Sequence, residues 1–523
     1  MKNKFIYLAI LAAGFASCEP EFENEVGANY TSGDADFTTY VAVGNSLTAG
    51  YMDGTVSRGS QANSFPNLLA QQFALVGGGA FTQPSYADDV NNLGGLMLGG
   101  AIIDYGTGVN QFKTRLVIDA SEGRPENIAG TSTIDVSAQQ FMAYNNMGVP
   151  GAKSFHLLAP GYGNLAGVSL GLSNPYFVRH ATSASATVLG DAMSKNPTFF
   201  TNWIGANDVL SYATNGGAQA NGVTPAVDQT GNMDVTTYGS NDITDPSAFA
   251  FTYNLIINGG THPSLGPITG LTSNGAKGVV ATVPSVTSIP YFTTIPYNPV
   301  PLDNATATQL NSGYATYNGG LDLAFSNGLI TNQERLQRKI NFVAGQNPVV
   351  IVDSDLTNLS GLGLPSYRMT TAQDLIVLPA RSVIGTVVGG NPAMINGVSV
   401  PLANKWVLTA NEKTKVANAT ASYNAAIVSI ANANDLAVAD MNAIMNQLVT
   451  GLRIEDGTIY TANYFSSATA SSVLFSLDGV HPNAKGYAVI TNEIIKVINR
   501  HYNANLPFVY ASSFPGATVL LTN

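Results

Sequence analysis

The stretch Thr38-Thr39-Tyr40-Val41-Ala42-Val43-Gly44-Asn45-Ser46 makes the strongest prediction about the fold. Its first six residues are β-branched, aromatic or apolar, which is typical of a buried strand. Gly44 then permits a tight turn, and a serine follows at the point where a helix can begin. We therefore predict a strand that ends at Gly44 and places the Ser46 hydroxyl at the edge of a sheet. By itself, this serine could equally be an ordinary helix N-cap.

Similar apolar runs recur along the chain, and segments with helical periodicity separate them. Strands that alternate with helices imply a parallel sheet between layers of helices, so we expect an α/β fold. The further predicted strands are 198–204, 278–283, 349–352 and 436–439. The predicted helices are 332–342, 411–432 and a C-terminal helix that starts at Ala484 with Asn483 as its N-cap.

Length and composition exclude several classes of protein. The chain has 523 residues, of which 45% are hydrophobic and 11% are charged, and its formal net charge is -11. So many apolar residues exclude an intrinsically disordered chain. The acidic balance argues against nucleic-acid binding, which needs a basic surface. The single cysteine excludes an internal disulfide.

Three stretches fit the alternation of strands and helices poorly. They are rich in Gly, Asn, Thr and Pro, and we interpret them as insertions into one α/β domain that covers 36–505. The predicted insertions lie near 56–138, 211–246 and 293–404, and a C-terminal tail covers 506–523. Whether the insertions form a separate domain, and whether the protein is oligomeric, is left open by the sequence.

The N-terminus predicts export and lipid anchoring. A basic start precedes an apolar run of eleven residues, which is too short to span a bilayer, so 1–17 is predicted to be a signal peptide. Phe15-Ala16-Ser17-Cys18 resembles the lipobox of bacterial lipoproteins, and this resemblance implies a lipidated Cys18 followed by an acidic linker to residue 35. We expect an outer-membrane lipoprotein of a Gram-negative bacterium, facing the periplasm or the cell surface. The alternative is an ordinary secretory signal with an accidental cysteine.

Near the C-terminus, Leu477-Asp478-Gly479-Val480-His481-Pro482 combines a carboxylate and an imidazole within one turn. The Asp478 carboxylate can accept Nδ1–H of His481 and leave Nε2 free to take a proton from a serine. None of the other four histidines has a carboxylate at that offset, and we interpret them as surface or packing residues.

Two further segments offer groups that could bind an oxyanion. Asn207, in Trp203-Ile204-Gly205-Ala206-Asn207-Asp208, follows an apolar run and has a side-chain N–H to donate. The Gly residues of Asn145-Asn146-Met147-Gly148-Val149-Pro150-Gly151-Ala152 allow a backbone N–H to approach a ligand closely.

In their order Ser, Gly, Asn and Asp-x-x-His, these four segments resemble the SGNH (GDSL-type) hydrolases. The resemblance implies a flavodoxin-like sandwich of a parallel sheet between helices. It also implies a triad of Ser46 as nucleophile, His481 as general base and acid, and Asp478 as the orienting carboxylate. The oxyanion hole would consist of the Ser46 and Gly151 backbone N–H groups and the Asn207 amide. Asn45 stands where the family has Asp, which puts a charged acceptor at that position in doubt.

Competing motifs have less physical support. Ser169 lies in a G-x-S-x-G sequence, the nucleophile elbow of α/β-hydrolases, but a loop precedes it instead of a strand. Asn241 lies in a G-x-N-D sequence inside a polar stretch. No cofactor or metal motif is present, and we interpret Asp234, Asp242 and Asp245 as a solvated acidic loop rather than a cation site.

The sequence thus predicts hydrolysis of carboxylic esters through an acyl-enzyme, without a cofactor. The substrate is expected to be a lipid or another acyl ester, because apolar and aromatic residues in 283–297 could form an acyl-chain groove. Those residues could equally pack a lid onto the core. Alternatives are removal of O-acetyl groups from carbohydrates, and a non-catalytic binding lipoprotein that retains the fold.

Overall fold

A five-stranded parallel sheet forms the centre of the computed structural model, which describes residues 29–466, 469 and 472–522. Its strands are β1 (Tyr40–Gly44), β2 (Asn146–Gly148), β3 (Phe199–Trp203), β4 (Lys277–Ala281) and β5 (Ala437–Ala439). Their spatial order is β2-β1-β3-β4-β5, and every neighbouring pair is parallel. This order is common in doubly wound α/β folds, in which ligands bind at the carboxyl ends of the strands where the order reverses. Here that point lies between β1 and β3.

Helices cover both faces of the sheet. The labelled helices are α1 (Ser46–Ala49), α2 (Phe65–Ala74), α3 (Val188–Met193), α4 (Asn207–Thr214), α5 (Pro246–Asn258), α6 (Asn304–Ser326), α7 (Ala410–Ala433), α8 (Met441–Thr450) and α9 (Ala484–His501). Short helices also occur at Arg58–Ala62, Pro175–Val178, Pro290–Thr293 and Asn332–Arg338.

Alternating side chains of each strand build two separate cores. In β1, Val41 and Val43 point into a core that they share with α3, α4, α5 and α7. Tyr40 and Ala42 point into the opposite core, with α2 and α9. All five residues of β1 are buried, as expected when helices cover both faces of a parallel sheet. The α/β class and the parallel sheet between helices are therefore confirmed.

Most predicted elements correspond to observed ones. β1, β3, β4, β5, α7 and α9 correspond to predicted stretches, and where an observed end lies outside its stretch it does so by no more than a few residues. Asn483 caps α9, and its Oδ1 accepts the N–H of Gly486 at 2.9 Å. The charged helix predicted to reach residue 342 ends at Arg338, because the backbone at Lys339 is extended.

Two strands of the structure differ from what the sequence suggests about the central sheet. The stretch 349–352 forms the short strand Val350–Val352, which pairs antiparallel with Tyr367–Met369 outside the central sheet. The strand β2 was missed because it contains the polar Asn146. That side chain is buried, and it donates to the carbonyl of Thr48 and accepts the N–H of Gly148, both at 3.0 Å.

The stretches read as insertions contain structure of their own. The first includes α2 and the antiparallel pairs Met97–Leu98 with Ala101–Ile102 and Leu116–Asp119 with Arg124–Asn127. The third includes α6, whose sequence is rich in Gly, Asn and Thr. The remaining antiparallel pairs are Gly260–His262 with Gly266–Ile268, Val300–Leu302 with Gly345–Asn347, Leu375–Ile376 with Val407–Leu408, Val387–Val388 with Asn391–Ile395, and Leu452–Arg453 with Ile459–Tyr460.

Both ends of the described chain pack onto the domain. Thr31, within the predicted linker, pairs with Asn505. In the predicted tail, Val519–Leu520 adds a parallel strand beside Leu116–Asp119. The predicted signal peptide and Cys18 lie outside the described residues.

Candidate active site

The turn after β1 brings Ser46 to the carboxyl edge of the sheet. Glycine is required at position 44, because a Cβ there would lie 2.2 Å from Oγ1 of Thr48 and 2.6 Å from the carbonyl oxygen of Trp203. The chain can therefore turn closely over β3 and begin α1 at once. Ser46 is the first residue of α1 and is 6% exposed, so bulk water has little access to it.

Asn45, which stands where the SGNH hydrolases have Asp, caps this short helix. Its Oδ1 accepts the N–H of Leu47 at 3.1 Å. An aspartate at this position would accept the same N–H, so the replacement by asparagine preserves the capping hydrogen bond and removes only the charge. Its Nδ2 is buried and has no hydrogen-bond partner among the described residues.

The imidazole of His481 bridges the serine and an aspartate. Its Nε2 lies 2.9 Å from Oγ of Ser46, and its Nδ1 lies 2.9 Å from Oδ2 of Asp478. Both distances are those of hydrogen bonds. The three predicted triad residues therefore meet, although 435 positions separate Ser46 from His481.

Asp478 accepts hydrogen bonds on both carboxylate oxygens. Oδ1 accepts the backbone N–H groups of Val480 and His481, each at 2.8 Å, and Oδ2 also accepts the N–H of Gly54 at 3.1 Å. Burial alone would raise the pKa of Asp478, but His481 and these N–H groups outweigh it and hold that pKa below its ordinary value. The carboxylate thus stays charged and can favour the tautomer of His481 that carries the proton on Nδ1.

A turn that the sequence analysis did not assign supports this aspartate and histidine. The Tyr51 ring packs against the His481 imidazole with 4.5 Å between centroids, and its hydroxyl donates to the carbonyl of Gly54. Asp53 follows in the left-handed region, with φ of 55°. This turn sets the position of the Gly54 N–H that Asp478 accepts.

Asp53 ties the same turn to the segment that carries the triad. Its Oδ1 accepts the N–H of Leu477 at 2.9 Å, and its own N–H donates to Oγ of Ser476 at 3.1 Å. Burial raises the pKa of Asp53 to about 7, partly opposed by the hydrogen bond from Leu477, and the nearby Asp478 charge adds to the rise. An Asp-Gly pair is a turn signal in the sequence, but nothing local links it to residues more than 400 positions away.

The predicted oxyanion donor Gly151 lies in a tight turn beyond β2. The N–H of Ala152 donates to the carbonyl of Val149 at 3.1 Å, and Gly151 has φ of 81°. Proline and glycine at the two central positions are the signature of a type II turn. In this turn the N–H of Gly151 is not used by the turn's own hydrogen bond.

The second predicted donor, Asn207, is connected to that turn. Asn207 is the first residue of α4, just beyond β3, and its Nδ2 donates to the carbonyl of Ala152 at 2.9 Å. An amide nitrogen carries two N–H groups, so one can hold this orientation while the other donates to a ligand. Ser46, Gly151 and Asn207 thus follow the carboxyl ends of β1, β2 and β3, which are neighbours in the sheet.

The competing motifs lie in other settings. Ser169 is exposed in the 3₁₀ helix Leu165–Leu170, without a strand before it. The interpretation of a solvated acidic loop was wrong for Asp242 and Asp245, which are buried and hydrogen-bonded. In the part of the chain that the structure describes, no three His, Cys, Asp or Glu side chains converge as metal ligands would.

Two of the other histidines, His156 and His180, are packing residues, in agreement with the surface-or-packing interpretation. Burial holds the pKa of His156 and of His180 down to about 3, and a neighbouring cation adds to the effect in each case. His156 stacks on Tyr162, and His180 packs edge-on against Phe177.

Ser46 and His481 line an apolar cavity. Residues of α8 and α9, the end of β3 and the segment 284–289 form its walls. The segment 283–297, predicted to form either an acyl groove or a lid, thus contributes Pro284, Val286 and Ile289 to a cavity wall.

Comparison of the chain with family models, with curated proteins and with solved structures finds no match. Among the described residues, none of the helices combines the length and the hydropathy that crossing a membrane requires.

Proposed function

We propose that this protein is a serine ester hydrolase of the SGNH (GDSL) type, which cleaves carboxylic esters through an acyl-enzyme. The observation that carries this proposal is the hydrogen-bonded chain from Ser46 Oγ through both ring nitrogens of His481 to Asp478, with 2.9 Å at each step. Such a chain can activate a serine hydroxyl, which is otherwise a weak nucleophile. The fold places it where doubly wound sheets bind ligands.

The chemistry follows from the positions of these groups. Oγ of Ser46 attacks the ester carbonyl carbon while Nε2 of His481 takes its proton. The carbonyl oxygen becomes an oxyanion, to which the N–H groups of Ser46 and Gly151 and the amide of Asn207 donate. His481 then gives the proton to the alcohol oxygen as the C–O bond breaks. Water attacks the acyl-enzyme by the same route and releases the carboxylic acid.

A fluorophosphonate probe tests the proposal directly, because it labels serines that an adjacent base activates. We expect labelling of the native protein at Ser46 and no labelling of Ser46→Ala. Ser169→Ala is the matched control, because this exposed serine lies in the competing motif, and it should label like the native protein. An unlabelled native protein with an intact fold would instead favour the non-catalytic binding protein.

We also propose that Cys18 anchors the enzyme to the outer membrane. The support is the lipobox-like sequence before this single cysteine, since two or three acyl chains anchor a protein stably. Native protein expressed in a Gram-negative host should incorporate labelled palmitate and sediment with outer membranes, whereas Cys18→Ala should do neither. Incorporation of label into Cys18→Ala would contradict the assignment.

A further inference from the structure

The cavity beside the candidate triad has walls of one chemical character. Among the described residues that line it, Ser46 and His481 alone carry a hydroxyl or an ionisable side chain. The single N–H of Trp203 is already used, because it donates to the carbonyl of Thr282 at 3.2 Å. A bound group therefore finds polar side chains at Ser46 and His481 and apolar side chains along the rest of the lining.

One face of α8 forms a wall of this cavity. Met441, Met445 and Leu448 are spaced by four and three residues, so they lie on the same side of the helix. They are only 3%, 6% and 6% exposed, yet they face a cavity rather than a filled core. Methionine side chains are flexible and adapt to ligands of irregular shape. Val489 and Ile490 of α9 also line the cavity.

These walls discriminate between the substrate classes that the sequence left open. A sugar ring would bury hydroxyl groups against side chains that offer no hydrogen bonds, which is costly. An aliphatic chain would instead gain free energy for each methylene that leaves water. Along α8 the lining runs from Met441 to Leu448, about 10 Å at roughly 1.5 Å per residue, which is longer than an acetyl group.

We propose that this cavity is an acyl-chain site and that the enzyme prefers esters of medium- or long-chain fatty acids. The proposal rests on the proposed ester hydrolase function and specifies its substrate. The fatty acyl chain extends from the carbonyl carbon at Ser46 along α8 and α9. The acyl group is assigned to the cavity, and not the alcohol, because the alcohol must leave and admit water while the acyl group stays bound to Ser46.

The first test is a series of p-nitrophenyl esters from acetate to dodecanoate, below their micelle concentrations, together with acetate esters of long-chain alcohols. Full burial of a methylene corresponds to about fourfold in kcat/KM. We expect kcat/KM to rise by at least about 100-fold from acetate to octanoate. A flat or falling series with efficient hydrolysis of acetate would overturn the acyl site but leave the esterase in place. A preference for long-chain alcohol acetates would assign the cavity to the alcohol and also overturn it.

Filling the cavity with a larger side chain tests where the acyl chain binds. Met445→Trp should lower the ratio of dodecanoate to butyrate hydrolysis by at least about tenfold, whereas Met445→Ala should not lower it. Val449→Trp is the matched control on the same helix, since Val449 is 51% exposed, and it should keep the native ratio. If Met445→Trp folds and keeps the native ratio of dodecanoate to butyrate hydrolysis, the fatty acyl chain does not bind along α8.

A binding measurement separates failure of this proposal from failure of the esterase. Trp203 lines the cavity, and the chain has two tryptophans, so Trp406→Phe leaves one fluorophore there. In Ser46→Ala with Trp406→Phe, a dodecanoate brominated along its chain should quench Trp203, and brominated butyrate at the same concentration should not. Absence of quenching overturns the acyl site whatever the catalytic result. Quenching in this variant, combined with a native protein that hydrolyses no ester and does not react with the fluorophosphonate, would refute the esterase alone.

Discussion

Replacement of Asp478 by asparagine removes one charge and changes one atom, so it tests the proposed role of this side chain closely. Both oxygens of Asp478 accept two N–H groups each: Val480 and His481 donate to one, and Gly54 and Nδ1 of His481 donate to the other. An asparagine can keep only one oxygen, so its NH₂ group must face one of these pairs of donors.

Each orientation of the asparagine has a calculable cost. If NH₂ faces Nδ1, His481 must carry its proton on Nε2 and cannot accept one from Ser46, which costs about 10⁴ in kcat. That factor corresponds to roughly 5.5 kcal/mol of transition-state stabilisation. If NH₂ faces the backbone instead, the N–H groups of Val480 and His481 lose their acceptor, at about 1–3 kcal/mol of folding free energy each.

The assay is kcat on a p-nitrophenyl ester together with the thermal midpoint of unfolding. Asp435→Asn is the control, because Oδ1 of Asp435 lies 3.4 Å from Nε2 of His501 in a second, exposed carboxylate–imidazole pair. Exposed ion pairs contribute little to folding stability, so Asp435→Asn should match the native protein in both kcat and thermal midpoint. An Asp478→Asn protein with native kcat and native stability would refute the reasoning.

Three further changes probe neighbouring groups. Asn207→Ala should lower kcat by about 10²–10³ with little change in KM, because it removes an oxyanion donor, and unchanged kcat would remove Asn207 from the oxyanion hole. Gly151→Ala should lower the free energy of unfolding by about 1–2 kcal/mol, because φ of 81° disfavours a side chain, and chemical denaturation can measure this loss. Burial raises the pKa of Asp53 from 3.8 to about 7, so the folded chain holds a proton that the unfolded chain has lost, and stability falls by up to roughly 4 kcal/mol as pH rises between these values. Asp53→Asn keeps an acceptor for the N–H of Leu477 but carries no charge. Its thermal midpoint of unfolding should therefore exceed that of the native protein above pH 7 and equal it near pH 4. Equal midpoints at both pH values would show that Asp53 is charged without cost to stability.

The site was predictable to the extent that its parts are local. Gly44 and Ser46 stand at the end of a recognisable strand, and Asp478 and His481 lie three residues apart in one turn. By contrast, the supporting turn at Asp53 has no local sign of its partner, because Leu477 donates to it from 424 positions away. The helix α6 was missed because its Gly, Asn and Thr residues have low helix propensity, and β2 was missed because its asparagine is polar but buried.

The sequence by itself determined the strand β1, the turn at Gly44, the Asn483 cap of α9 and the pairing of Asp478 with His481. These features depend on a few adjacent residues. Only the tertiary structure decided that Ser46 lies within 2.9 Å of His481, and that one face of α8 lines a cavity instead of a filled core. The attraction that folds the chain is non-directional burial of apolar surface, so an apolar face at helical spacing does not reveal what it will cover.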